Sequence, residues 1–124
     1  MVRQIWLLSG LMLPFGAATY HAACLAFDSV NKTIYLSDPF EKECAGPVAS
    51  CRSEVVAKWT AFLRKEGLAQ TPGATQRCEM YNVGSTPDES PRSRVRKWRD
   101  EAAAQAQAGP IKYTKVVQTT FEFD

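Results

Sequence analysis

Ala23-Cys24-Leu25-Ala26-Phe27-Asp28-Ser29-Val30-Asn31-Lys32-Thr33-Ile34-Tyr35-Leu36-Ser37-Asp38-Pro39 is the stretch that decides the fold. Two β-prone runs, 23–28 and 33–37, are separated by the four residues Ser29 to Lys32, which predicts a β-hairpin. With side chains alternating, Leu25 and Phe27 share a face of the first strand, and Ile34 and Leu36 share a face of the second. Pro39 has no N–H to give to a ladder, so Asp38-Pro39 ends the second strand.

Downstream, 41–50 reads as a loop. Residues 51–66 are the clearest helix, with Val55, Trp59, Phe62 and Leu63 at the spacing of one buried face. Ser50 is placed to cap it, and Gly67 stands where a left-handed C-cap belongs. Residues 78–83 are a third strand. Ser90 and Pro91 open a second helix over 91–107, with a narrow stripe of Val95, Trp98 and Ala102, and Gly109-Pro110 stops it. Thr86, Pro87 and Glu89 offer a competing, earlier start. Residues 111–123 form a last strand carrying Val117, Phe121 and Phe123 on one face. The order ββαβαβ predicts an α+β fold: a small, mainly antiparallel sheet with both helices on one face.

Upstream, residues 1–18 have the anatomy of a secretory signal peptide: Arg3, a short apolar run from Ile5 to Leu13, then small residues at Gly16 and Ala18. A membrane-spanning helix needs about 20 apolar residues, and Thr19, Tyr20 and His21 arrive too early. Residues 19–124 then form a single exported domain, periplasmic or secreted. All four cysteines, Cys24, Cys44, Cys51 and Cys78, lie in that part, and export would oxidise them. Of three possible connectivities, Cys24–Cys78 and Cys44–Cys51 is favoured, because the short loop would fix the start of the first helix. A lipobox-like reading of His21-Ala22-Ala23-Cys24, in which His21 stands where a leucine-like residue is expected, would instead lipidate Cys24 and tether the chain to a membrane, stranding one thiol.

The cysteine strand followed by Lys32-Thr33-Ile34-Tyr35-Leu36-Ser37-Asp38-Pro39-Phe40 resembles the opening of small secreted bacterial proteins of unknown function. Cys78, the 91–107 helix and Val116-Val117 follow the same order. The strand–helix–strand layout of the latter half is similar, more distantly, to sporulation-related repeat domains that bind denuded peptidoglycan. These resemblances imply a compartment and a fold, and no residue role.

The chain has 124 residues, 45% hydrophobic and 23% charged, with net charge +2. That composition suits one globular domain and argues against a basic nucleic-acid binder. His21 is the only histidine; placed on a frayed end, it has no serine or cysteine partner. No CxxC spacing supports zinc, and no P-loop, dinucleotide turn or EF-hand is present, so neither metal nor cofactor is expected. The carboxylate pairs Glu41/Glu43, Asp88/Glu89 and Asp100/Glu101 read as solvated charges. On a helix Arg92, Arg96 and Arg99 form one strip, a candidate anion-binding surface. Tyr35 and Tyr81, with Glu79, would project from the uncovered sheet face as a contact surface. Trp59 reads as core. The functional expectation is an exported, non-enzymatic binding module of the bacterial cell envelope that recognises a protein or an envelope polymer. The alternative is an inhibitor or immunity protein that blocks an exported enzyme.

Overall fold

The computed structural model describes residues 17–123. Its elements are β1 (Ala18–Asp28), β2 (Thr33–Leu36), β3 (Phe40–Cys44), α1 (Val48–Glu66), β4 (Thr75–Tyr81), α2 (Pro91–Ala108) and β5 (Lys115–Gln118). The expected signal segment 1–18 lies outside the described residues except at Ala17 and Ala18. Ala18 already pairs with Cys44.

The long β1 is the centre of the sheet. One of its edges pairs with β4, antiparallel from His21 to Phe27. The other pairs with β3 over Ala18–Ala22 and with β2 over Leu25–Asp28, both antiparallel. β5 adds outside β2 in parallel, Thr33 to Leu36 against Lys115 to Gln118. The fold is therefore α+β, with two helices, a mixed five-stranded sheet and two disulfides.

The helices do not share a face. Ala22, Cys24 and Ala26 pack with Val55, Trp59 and Leu63 of α1. Leu25 packs with Ile34, Leu36 and Ala103 of α2, joined by Phe27 and Trp98. Alternation along a strand sends these two sets to opposite sides, so the sheet is the middle of three layers. The reason lies in β1, where Ala22 to Ala26 are all 0% exposed. A continuous apolar run belongs to a strand covered on both faces. Trp59 is core as expected, and its indole N–H donates to the Leu25 carbonyl at 2.9 Å.

The expected loop 41–50 contains β3, which forms because its backbone pairs with Thr19–Ala22, a partner distant in sequence. The last strand is shorter than expected, since only 115–118 pairs. The parity there holds: Val117 lies opposite Tyr35, and Phe121 and Phe123 turn to the α1 side. α1 begins a turn early, at Val48 behind Pro47, without the Ser50 cap. It ends as expected at left-handed Gly67, with paired bonds Gly67 N–H to Arg64 and Leu68 N–H to Leu63. α2 starts at Pro91 and is capped by Ser90, whose hydroxyl accepts from the Ser93 N–H.

Both disulfides follow from this register. Cys24 and Cys78 face each other across β1 and β4, with their Cα atoms 4.0 Å apart. Cys44 ends β3 on the α1 side and joins Cys51 in the first turn of α1. By chain entropy the long loop contributes about 4 kcal/mol and the short one about 2.5 kcal/mol. Cys24 is fully buried and spent on its disulfide, which leaves no thiol for a lipid.

Candidate functional site

A surface groove begins at Ser37-Asp38-Pro39. Leu36 lies opposite Leu25 and Phe40 opposite Ala22, so three residues span the space of Ala23 and Cys24. The extra residue is a β-bulge. It reverses the parity of the strand: Leu36 faces α2, whereas Phe40 and Cys44 face α1. The proline that ends β2 thus marks a bend, and the chain continues as β3.

A bulge breaks the ladder, and its buried polar groups need other partners. The Ser37 hydroxyl accepts from Cys24 N–H at 2.8 Å, and Ser37 N–H donates to the Cys24 carbonyl at 3.0 Å. Arg99 donates Nη1 to the Ser37 carbonyl at 2.7 Å. Arg92 reaches the Pro39 carbonyl at 3.4 Å. On the outer side, both the N–H and the hydroxyl of Thr119 donate to the Leu36 carbonyl at 2.8 Å. β5 is held alongside β2 up to that point, anchored at its other end by Thr114 and Lys115 N–H groups on the Lys32 carbonyl.

Beyond Thr119 the sheet edge forks: β3 pairs with β1, the segment 119–123 runs on outside any ladder, and no described strand pairs with the outer edge of β3. Between the two arms is an open groove of about 590 Å³. Its floor is aromatic: Phe40 meets Phe121 edge-on at 5.6 Å and stacks on Phe123 at 5.8 Å. Phe121 also meets Trp59 and Phe62, tying the floor to the α1 core. Lys42, paired with Glu54, and Lys58 flank Phe123 from the α1 side. The residues that alternate with the aromatics, Glu41 on one arm and Thr120 and Glu122 on the other, are exposed. Asp38 stands at the closed end with its side chain 73% exposed, 3.9 Å from Arg99. The groove therefore has an apolar floor, an acidic rim and a strand edge.

The expected site residues fall elsewhere. Arg99 is not part of an anion strip. It is 8% exposed, directed at the sheet, and bound to Ser37 and Asp100. The Val95–Arg99–Ala103 spacing places it on the inward stripe of α2. Arg92 and Arg96 remain exposed. Tyr35 and Tyr81 share no uncovered face. Tyr35 packs in the α1 layer, where burial and then the Asp28 charge push its phenol up. Tyr81 lies on the α2 side beneath Arg94, whose guanidinium is 3.8 Å from the ring centroid. Glu79 pairs with Arg52 at 2.8 Å.

His21 is not at a frayed end. It sits within β1, between Glu41 of β3 and Tyr81 of β4, and its Nδ1 is buried without a hydrogen-bond partner among the described residues. Of the carboxylate pairs, Glu89 does not open a helix. It accepts from the N–H and hydroxyl of Ser85, and these bonds, with a lesser contribution from Lys97, hold its carboxyl below the usual range against the opposing effect of burial. Glu41 is the member that enters the groove. Sequence reasoning missed the groove. The available signal was the alternation Thr120-Phe121-Glu122-Phe123, an aromatic–polar pattern that outruns the paired part of β5.

Among the described residues, no helix is long and apolar enough to cross a membrane. Two disulfides fit an oxidising, exported location. No protein-family model matches the chain, and no curated protein or solved structure matches it either.

Proposed function

We propose that this chain is an exported binding module of the bacterial cell envelope, periplasmic or secreted after loss of residues 1–18, and that it docks a protein through the forked sheet edge. The observation that carries the reading is the groove between β3 and 119–123, with an aromatic floor and a strand edge that no described strand pairs. Open strand edges are the usual template for pairing with another chain, and aromatic side chains supply much of the energy at protein interfaces. Cleavage after Ala18 would leave Thr19–Asp28 of β1 and its pairings in place. The likeness of the first hairpin to small secreted bacterial proteins supports the compartment. A binding role rather than catalysis accords with the sole imidazole being built into the central strand.

The test is site-specific photocrosslinking in the cells that make the protein. A photoreactive residue at Thr120 should give a discrete adduct with one protein, and the same residue at exposed Ala104 of α2 should not. Adducts with glycan strands, or equal labelling from both positions, would contradict protein docking through the fork. If the captured protein is an exported enzyme that loses activity in the adduct, the module is its inhibitor.

A further inference from the structure

We propose that the fork takes one extended, basic segment of a protein partner as an added strand along the outer edge of β3, its side chains alternating between apolar and cationic. The inference rests on the docking role above and names the chemistry of what docks. Three observations converge on it. First, β3 runs from Phe40 to Cys44 with no described strand on its outer side. Five residues offer about 17 Å of edge, enough for a strand of similar length. Strand addition of this kind takes its affinity from main-chain hydrogen bonds and its specificity from alternate side chains. Second, the two arms present opposite chemistry on their two faces. Phe40, Phe121 and Phe123 line the floor, while Glu41, Glu122 and Asp38 stand on the rim. A strand lying between the arms sends every second side chain down and the others up. The down positions meet rings and the up positions meet carboxylates. Third, Glu41 and Glu122 make no ion pair among the described residues, although Glu122 shares a surface depression with Lys58 and Lys65, and Asp38 is only loosely matched by Arg99 at 3.9 Å. Charge complementarity thus selects lysine or arginine at the up positions. The bulge makes this possible. Without the extra residue at 37–39, Phe40 would face α2 and Glu41 would lie on the α1 side.

The probes are three synthetic six-residue peptides. One alternates lysine and valine, one alternates glutamate and valine, and one is the lysine–valine peptide N-methylated at every residue whose N–H would face β3. Titration of the full domain is followed by amide NMR shifts. The lysine–valine peptide should shift Phe40–Cys44 and Thr119–Phe123 and should bind more weakly as salt rises. The double variant Glu41→Gln, Glu122→Gln should weaken it about fivefold or more, with the spectrum of the free domain otherwise unchanged. The N-methylated peptide should not bind. Equal binding of the glutamate–valine peptide, retained binding after N-methylation, or a peptide-free dimer formed through β3 would each overturn the proposal. If Thr120 still crosslinks one protein while no peptide binds, the strand-addition inference fails and the docking role stands. If the crosslink fails as well, both fail.

Discussion

At the end of β1 the Asp28 side chain is almost wholly buried, yet it closes the turn into β2. Its carboxylate accepts from Asn31 N–H at 3.0 Å, from Asn31 Nδ2 at 2.9 Å and from the Thr71 hydroxyl at 2.6 Å. Burial works to raise its pKa, but these bonds outweigh burial and hold the carboxyl below the usual aspartate range. The group therefore stabilises the fold fully above the unfolded carboxyl pKa of about 4, and that contribution is lost as pH falls through the lower folded value. Asp28→Asn should cost about 1–3 kcal/mol at neutral pH, by setting a donor against Asn31 Nδ2. Urea unfolding should also show that the variant loses less stability than the parent on acidification. Arg99 makes a second residue-scale contrast. Arg99→Ala leaves the buried Ser37 carbonyl unpaired and should cost about 1–3 kcal/mol. Arg96→Ala, on the exposed side of the same helix, should stay within about 0.5 kcal/mol. Equal effects of the two in thermal melts would contradict the inward placement of Arg99.

Among the elements, what could be read from sequence was whatever local pattern determines. The hairpin, the 3.6-residue stripe of α1, the Ser90-Pro91 start of α2 and the glycine end of α1 all appear as residue types at fixed spacings. β3 did not, because Phe40-Glu41-Lys42-Glu43-Cys44 follows a proline and reads as polar. It becomes a strand through pairing with residues about twenty positions earlier. The opposite placement of the helices was visible in principle: the unbroken apolar run Ala22–Phe27 lacks the alternation of a one-sided strand. The groove was not legible, since it depends on a bulge that inverts side-chain parity over a single extra residue. Loop 82–90 offers an element-scale test. A Cβ on Gly84 would overlap the Glu89 carbonyl, a backbone atom that cannot swing away. Gly84→Ala should therefore open the Ser85–Glu89 contact and loosen the entry to α2. Faster amide exchange at Ser85 and Ser93, with α1 unchanged, is the expected readout.

Over the whole molecule, β1 ties both helical layers together, and each disulfide secures it differently. Cys24–Cys78 locks the central strand to β4, while Cys44–Cys51 locks β3 to the start of α1. Replacing Cys24 and Cys78 together by alanine should cost about 4 kcal/mol, and replacing Cys44 and Cys51 about 2.5 kcal/mol. Chemical denaturation of the two double variants checks the order. The second pair holds one arm of the fork, so its loss should also broaden the amide signals of Phe40–Cys44. Export and closure by two disulfides are tested by the intact mass of the protein recovered from its natural cells. It is taken with and without reductant before alkylation. A chain beginning near Thr19 should take up four alkyl groups, one per cysteine, only after reduction. Alkylation without reductant, or an acyl chain on Cys24, would contradict this expectation.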